Sequence, residues 1–76
     1  MSFQAYLDNI KAKTGNGPED FRRIAEQKGY LQNGQVKAGI KAGDIVSWLK
    51  KDFGLGHGHA MAIYDLFKGV QKEKNN

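Results

Sequence analysis

The segment GLGHGHAMAIY, residues 54–64, carries the side chains best suited to chemistry, because His57 and His59 stand among three glycines. Histidine can bind a metal ion or act as a general base. A zinc site needs at least three protein ligands, and this chain has no cysteine, so carboxylates such as Asp52 would have to complete it. Residues two apart on a helix point to nearly opposite sides. We therefore expect no metal site and no cofactor.

Catalysis is not indicated by the remaining residues. A general base needs a partner that orients it and a pocket that shifts its pKa. No Ser-His-Asp or Cys-His set is visible, since Ser2 and Ser47 stand in ordinary helical contexts. The glycine-rich strings GNG and GLGHG follow no predicted strand, and no Gly-Lys-Ser or Gly-Lys-Thr sequence occurs. The sequence predicts a protein that is not an enzyme.

The spacing FGLGHGHAMAI resembles the helix-hairpin-helix motif of DNA-binding and repair proteins. The resemblance makes Gly54 to Gly56 the hairpin, Ala60 the close-packing residue and Ile63 the core anchor. It implies that amides at the start of the second helix bind a phosphate, as helix N-termini do in general. That motif commonly has a lysine in the turn, near the place of Gly58 here. The alternative is that the glycines only permit a tight turn; in both cases Gly56 or Gly58 should have a positive φ or a closely approached backbone.

These features define a candidate function, which is weak, sequence-independent binding of nucleic acid through the phosphate backbone. The alternative is a protein–protein interaction domain that uses an exposed helical face, because DIVSWLKKDFGL and GLGHGHAMAIYDLF resemble pieces of sterile alpha motif domains. The candidate partner is therefore a nucleic acid or a protein. The predicted nucleic-acid site consists of Lys50, Lys51, Gly54, Gly56, His57, Gly58, His59 and Lys68.

Composition fits such a binding module. The chain has 76 residues, with 12 Lys and Arg against 8 Asp and Glu, and a net charge of +4. A basic balance is compatible with a polyanionic partner, although a merely solvated basic surface would give the same count. No apolar run is long enough for a signal peptide or a membrane span. We expect a cytoplasmic monomer that does not enter a membrane.

Apolar periodicity predicts an all-α domain over residues 1–70, followed by a disordered tail at 71–76. Four main helices are expected: one capped by Ser2 and ending in TGNG, one over 18–28, one over 42–53, and one from about His57 to Lys68 with Gly69 after it. Residues 30–43 are predicted as a loop with a candidate fifth short helix at 36–40, and no strands are expected. Trp48 should be buried, whereas Tyr30 is the candidate exposed aromatic.

Three longer strings cover nearly the whole chain: SFQAYLDNIKAKTG, PEDFRRIAEQKG and VKAGIKAGDIVSWLKKDFGLGHGHAMAIY. They resemble a family of small bacterial proteins known only as a domain of unknown function, with PEDF and WLKKDFGLGHGHAMA as the matching hallmark strings. The resemblance implies a bacterial source and a compact helical unit, and it offers no catalytic residues to carry over. The chain departs from the pattern at Gly17, where a capping threonine is expected.

Overall fold

Helices account for most of the computed structural model, which describes residues 2–69. The elements in chain order are α1 (Phe3–Thr14), α2 (Pro18–Lys28), β1 (Leu31–Gln32), β2 (Gln35–Val36), α3 (Ala42–Phe53) and α4 (His57–Lys68). The four predicted helices are confirmed, including the bounds of the second and third. The predicted tail at 71–76 lies outside the described residues. No helix within residues 2–69 has the length and apolar character needed to cross a bilayer.

Helix ends follow the capping residues that the sequence supplies. The Ser2 Oγ accepts a hydrogen bond of 3.2 Å from the backbone N–H of Ala5, as expected for an N-cap. Each helix ends at a glycine in the left-handed region, with φ between 66° and 85°. The helix stops predicted at Gly54 and Gly69 are therefore confirmed.

In α2 and α3 the N-cap side chain makes no hydrogen bond, and the carboxylate three residues later accepts the N–H of the N-cap residue instead. The backbone N–H of Gly17 donates to Asp20 Oδ2 at 2.9 Å, and that of Lys41 donates to Asp44 Oδ2 at 3.1 Å. The bond from Gly17, helped by the positive charge of Arg23, keeps the pKa of Asp20 below its usual range. The start of α2 is thus stabilised although glycine stands where threonine was expected.

The segment between α2 and α3 contains a small antiparallel hairpin, so the prediction of no strands is wrong. Leu31 pairs with Val36 and Gln32 with Gln35. The two connecting residues, Asn33 and Gly34, have φ of 56° and 78°. Positive φ at both central residues is typical of a tight hairpin turn whose twist matches its strands.

The candidate fifth helix at 36–40 does not form. Val36 belongs to β2, and the Ile40 N–H donates to the Lys37 carbonyl at 3.1 Å. The same turn contains Gly39 with φ of 90°, which is incompatible with a right-handed helix. The chain therefore passes from the hairpin to α3 through a turn.

The core is organised around α4, which packs against α1, α2, α3 and β2. Its buried residues fall on more than one side, as expected for a helix with several neighbours. The buried cluster consists of Leu7, Ile10, Phe21, Ala25, Leu31, Ile45, Val46, Trp48, Leu49, Leu55, Ala60, Ile63 and Phe67. Burial of Ala60 and Ile63 agrees with the close-packing and anchoring roles expected of them.

Aromatic contacts join α2 to α3 beside this core. Phe21 packs edge-on to Phe53 with ring centroids 5.0 Å apart, and Phe53 in turn lies 5.7 Å from Trp48. Trp48 is 5% exposed, which confirms its predicted burial. Tyr30 is half-buried against Trp48, with centroids 5.3 Å apart, so it is less exposed than expected.

Candidate nucleic-acid interface

The turn between α3 and α4 has one buried residue and exposed glycines on either side of it. Gly54 ends α3 with φ of 66°, and its N–H donates to the Lys50 carbonyl at 3.1 Å. Leu55 is 3% exposed and therefore anchors the turn to the core. Gly56, in extended backbone, precedes the first helical residue of α4, and the turn presents Gly54, Gly56 and His57 to solvent.

Gly54 is the glycine of this turn with a positive φ. The prediction that Gly56 or Gly58 would have a positive φ or a closely approached backbone is therefore wrong. Gly56 has φ of −74°, and Gly58 lies in the first turn of α4 without a positive φ. A Cβ added at either glycine would meet no atom within 4 Å. The residue after the last helical position adopts the left-handed conformation, so Gly54 takes the role that its C-cap place requires.

This geometry predicts opposite effects for alanine at two glycines. Gly54→Ala should lower the free energy of unfolding by about 1–2 kcal/mol, because a Cβ in the left-handed region approaches the following carbonyl oxygen. Gly58→Ala should raise it by up to about 1 kcal/mol, since the position is helical and has open space. Urea unfolding of the two variants measures both effects, and a change of the same sign at both positions would contradict the assignment.

The two histidines serve different surfaces. The His59 ring is half-buried and packs edge-on to Tyr6 of α1, with centroids 5.1 Å apart and planes at 81°. His57 is exposed. Within residues 2–69, no three His, Asp, Glu or Cys side chains lie close enough together to hold a metal ion. His59 therefore fastens α4 to α1, and His57 is the histidine left open to a ligand.

The start of α4 differs from the starts of the other three helices. It alone of the four lacks both a side-chain cap and an acidic residue in its first turn. The first backbone N–H groups of any helix lack a carbonyl partner within it, which here applies to His57, Gly58 and His59. Because the first turn of α4 has no carboxylate, no side chain of that turn offsets the positive end of the helix dipole. An anion is the ligand that this end can accept.

A lysine that sequence reasoning missed lies at the turn. Lys13 Nζ, from the end of α1, donates a hydrogen bond of 2.9 Å to the Gly54 carbonyl. The two residues are 41 positions apart, so no local pattern indicates the contact. It arises because α1 packs against α4. The turn thereby gains an ammonium group although its own sequence has glycine where a lysine is common.

The three lysines of the predicted site do not lie together. Lys50 is exposed in the last turn of α3. Lys51, about 100° further around that helix, lines a different groove beside Tyr30. Lys68 lies 11 positions after His57, and a helix rises about 1.5 Å per residue, so the two backbones are about 16 Å apart. The structure thus leaves Lys50, whose carbonyl accepts the Gly54 N–H, as the predicted lysine bonded to the turn, with Lys13 added to it.

Comparison with known proteins identifies the family of the chain. Residues 2–69 match the family described as Domain of unknown function (DUF4287). No curated protein and no solved structure matches the chain. Because the match covers nearly all of the sequence, the chain belongs to this family, as the hallmark strings indicate.

Proposed function

We propose that this member of the DUF4287 family is a non-catalytic binding module that contacts the phosphate backbone of nucleic acid through the turn at residues 54–59. The observation that carries the proposal is the bond between Lys13 Nζ and the Gly54 carbonyl, which brings an ammonium group to the turn that leads into α4. The start of α4 itself bears no acidic residue. Cation and helix end together favour an anionic ligand.

The donors at this surface suit phosphate oxygens. An ammonium group has three N–H bonds, and the Gly54 carbonyl uses one of those of Lys13, so two remain for a ligand. The backbone N–H groups of His57 and Gly58 supply neutral donors, and the exposed His57 ring supplies another. None of these groups reads a base edge, so the binding is independent of sequence.

Affinity should be weak and should fall steeply with salt. The turn can neutralise only a few phosphates, and each neutralised phosphate of a duplex releases condensed counterions. The logarithm of the binding constant should therefore fall with the logarithm of salt concentration with a slope of roughly −2 to −4. A protein interface formed by an exposed helical face, the alternative function, would depend far less on salt.

The test is a titration of the 15N-labelled protein with a short DNA duplex at low salt. We expect the amide resonances of residues 54–60 to shift most. Lys13→Glu should weaken binding and reduce the salt slope by about 1, as for the loss of one phosphate contact. Lys68→Glu is the matched control, because it makes the same charge change on an exposed lysine at the far end of α4.

Three outcomes would contradict the proposal. Amides of the turn that stay unmoved at low salt would exclude it as the contact surface. Shifts that cluster around Arg22 and Arg23 would move the binding surface to α2. Equal losses for Lys13→Glu and Lys68→Glu would show that only net charge matters, because a positioned contact should distinguish the two lysines.

A further inference from the structure

A groove beside α3 is a second surface feature, and none of the residues that line it belongs to the turn at 54–59. It is an open groove of about 480 Å³, whose apolar wall is formed by Tyr30, Ile40 and Trp48. Ser47 and Lys51 of α3 line the same groove. Aromatic and aliphatic surface with a few polar groups is typical of small-molecule sites.

Trp48 has a hydrogen-bond donor that the fold leaves unused. Its indole Nε1 is buried and has no hydrogen-bond partner within the described residues. A buried tryptophan N–H usually finds an acceptor, because an unpaired buried donor is unfavourable. The donor belongs to a side chain that lines the groove, although the nitrogen itself is buried beneath the surface.

The groove is lined by two lysines and two aspartates, and three of these four make contacts within the described residues. Lys28 Nζ lies 3.5 Å from Asp52 Oδ2, so these two charges pair with each other. Asp44 accepts the backbone N–H of Lys41 at the start of α3. The Lys51 ammonium is in no ion pair within residues 2–69 and remains available. The groove therefore offers an ammonium and an indole N–H, and a ligand that complements it carries an anionic acceptor.

We propose that this groove binds a small aromatic carboxylate. The aromatic ring of the ligand packs on Tyr30 and Ile40, and its carboxylate accepts hydrogen bonds from the Lys51 ammonium and the Trp48 indole N–H. Because the indole nitrogen is buried, this bond requires the neighbouring Tyr30 ring, 5.3 Å from the indole by centroids, to move when the ligand binds. This site is separate from the turn of the proposed nucleic-acid interface.

The test uses the single tryptophan of the chain, which gives one indole N–H resonance. Titration with benzoate should move that resonance saturably, whereas benzyl alcohol, which has the ring without the charge, should move it much less. Lys51→Gln should weaken benzoate binding about threefold to fivefold, the size expected for one exposed charge pair. Lys50→Gln is the matched control and should leave the affinity unchanged, because Lys50 does not line the groove.

An indole resonance that stays fixed at high benzoate concentration would overturn the proposal, as would equal effects of Lys50→Gln and Lys51→Gln. Trp48→Phe adds a second check, because it keeps an aromatic ring and removes the donor. Benzoate should then bind more weakly to this variant, and unchanged binding would show that the indole N–H has no part in the site. Duplex DNA and benzoate should shift different amides, so that either site can fail without the other.

Discussion

Trp48→Ala is expected to lower the free energy of unfolding by about 3–5 kcal/mol, the range for removal of a large buried aromatic side chain. The side chain is 5% exposed and contacts the rings of Tyr30 and Phe53. Its loss would leave a cavity where α3 meets the aromatic residues around it. Small domains have little stability in reserve, so we expect much of the variant to be unfolded at room temperature. Urea unfolding followed by circular dichroism measures the change.

Trp48→Phe separates packing from hydrogen bonding at this position. It retains a ring against Tyr30 and removes an N–H that has no partner within residues 2–69, so it should cost much less than alanine. A loss below about 1 kcal/mol for Trp48→Ala would contradict the burial of the side chain. Equal losses for phenylalanine and alanine would instead show that the indole N–H has a partner that stabilises the fold.

Helix bounds were predictable because their signals are local. The N-cap Ser2, the proline at the start of α2 and the glycines after each helix stand within one turn of the ends that they determine. The apolar residues of α3, including Trp48 and Leu49, also share one face as their spacing predicts. The capping residues and the apolar periodicity indicate the same bounds for these helices, so the bounds can be predicted from the sequence alone.

The hairpin could not be predicted from apolar periodicity, because each of its strands has two residues, too few to show an alternating pattern. The signal that could have revealed it is Asn33-Gly34, a pair strongly favoured in two-residue hairpin turns. Gly54 offered a comparable signal, since the place after a helix end favours positive φ, whereas an N-cap such as Gly56 does not require it. The residue preferences of each turn and cap position therefore predict which residues adopt a positive φ.

The candidate interface was predictable only in part. The exposed turn and the uncapped start of α4 follow from the local sequence. The separation of Lys50 from Lys51 also follows, because consecutive helical residues lie about 100° apart. The contact of Lys13 with Gly54 and that of Tyr6 with His59 depend on how α1 packs on α4. Tertiary packing decides which cation reaches the turn and which histidine stays open.

Phe21→Ala should also lower the free energy of unfolding by about 3–5 kcal/mol. Phe21 is 1% exposed and belongs to the largest fully buried side chains of the described residues. Phe53, its edge-on neighbour at 5.0 Å, is only partly buried, so Phe53→Ala should cost less. Both variants remove the same side-chain atoms, so the difference between their losses of unfolding free energy tests the difference in burial between the two rings.

A double-mutant cycle between Phe21 and Phe53 measures the contact itself. The pair should show a coupling of about 0.5–1.5 kcal/mol, the range for aromatic pairs beyond the area that they bury. Strict additivity would contradict a direct ring contact, and a larger loss for Phe53→Ala than for Phe21→Ala would contradict the conclusion that Phe21 is the more deeply buried ring.

Phe21 lies on α2 and Phe53 lies one residue before Gly54, so this contact also ties α2 to the residue that leads into the turn. Weakening it should therefore loosen the start of the candidate interface, which hydrogen exchange at residues 54–58 in Phe53→Ala would detect as faster than in the unchanged protein.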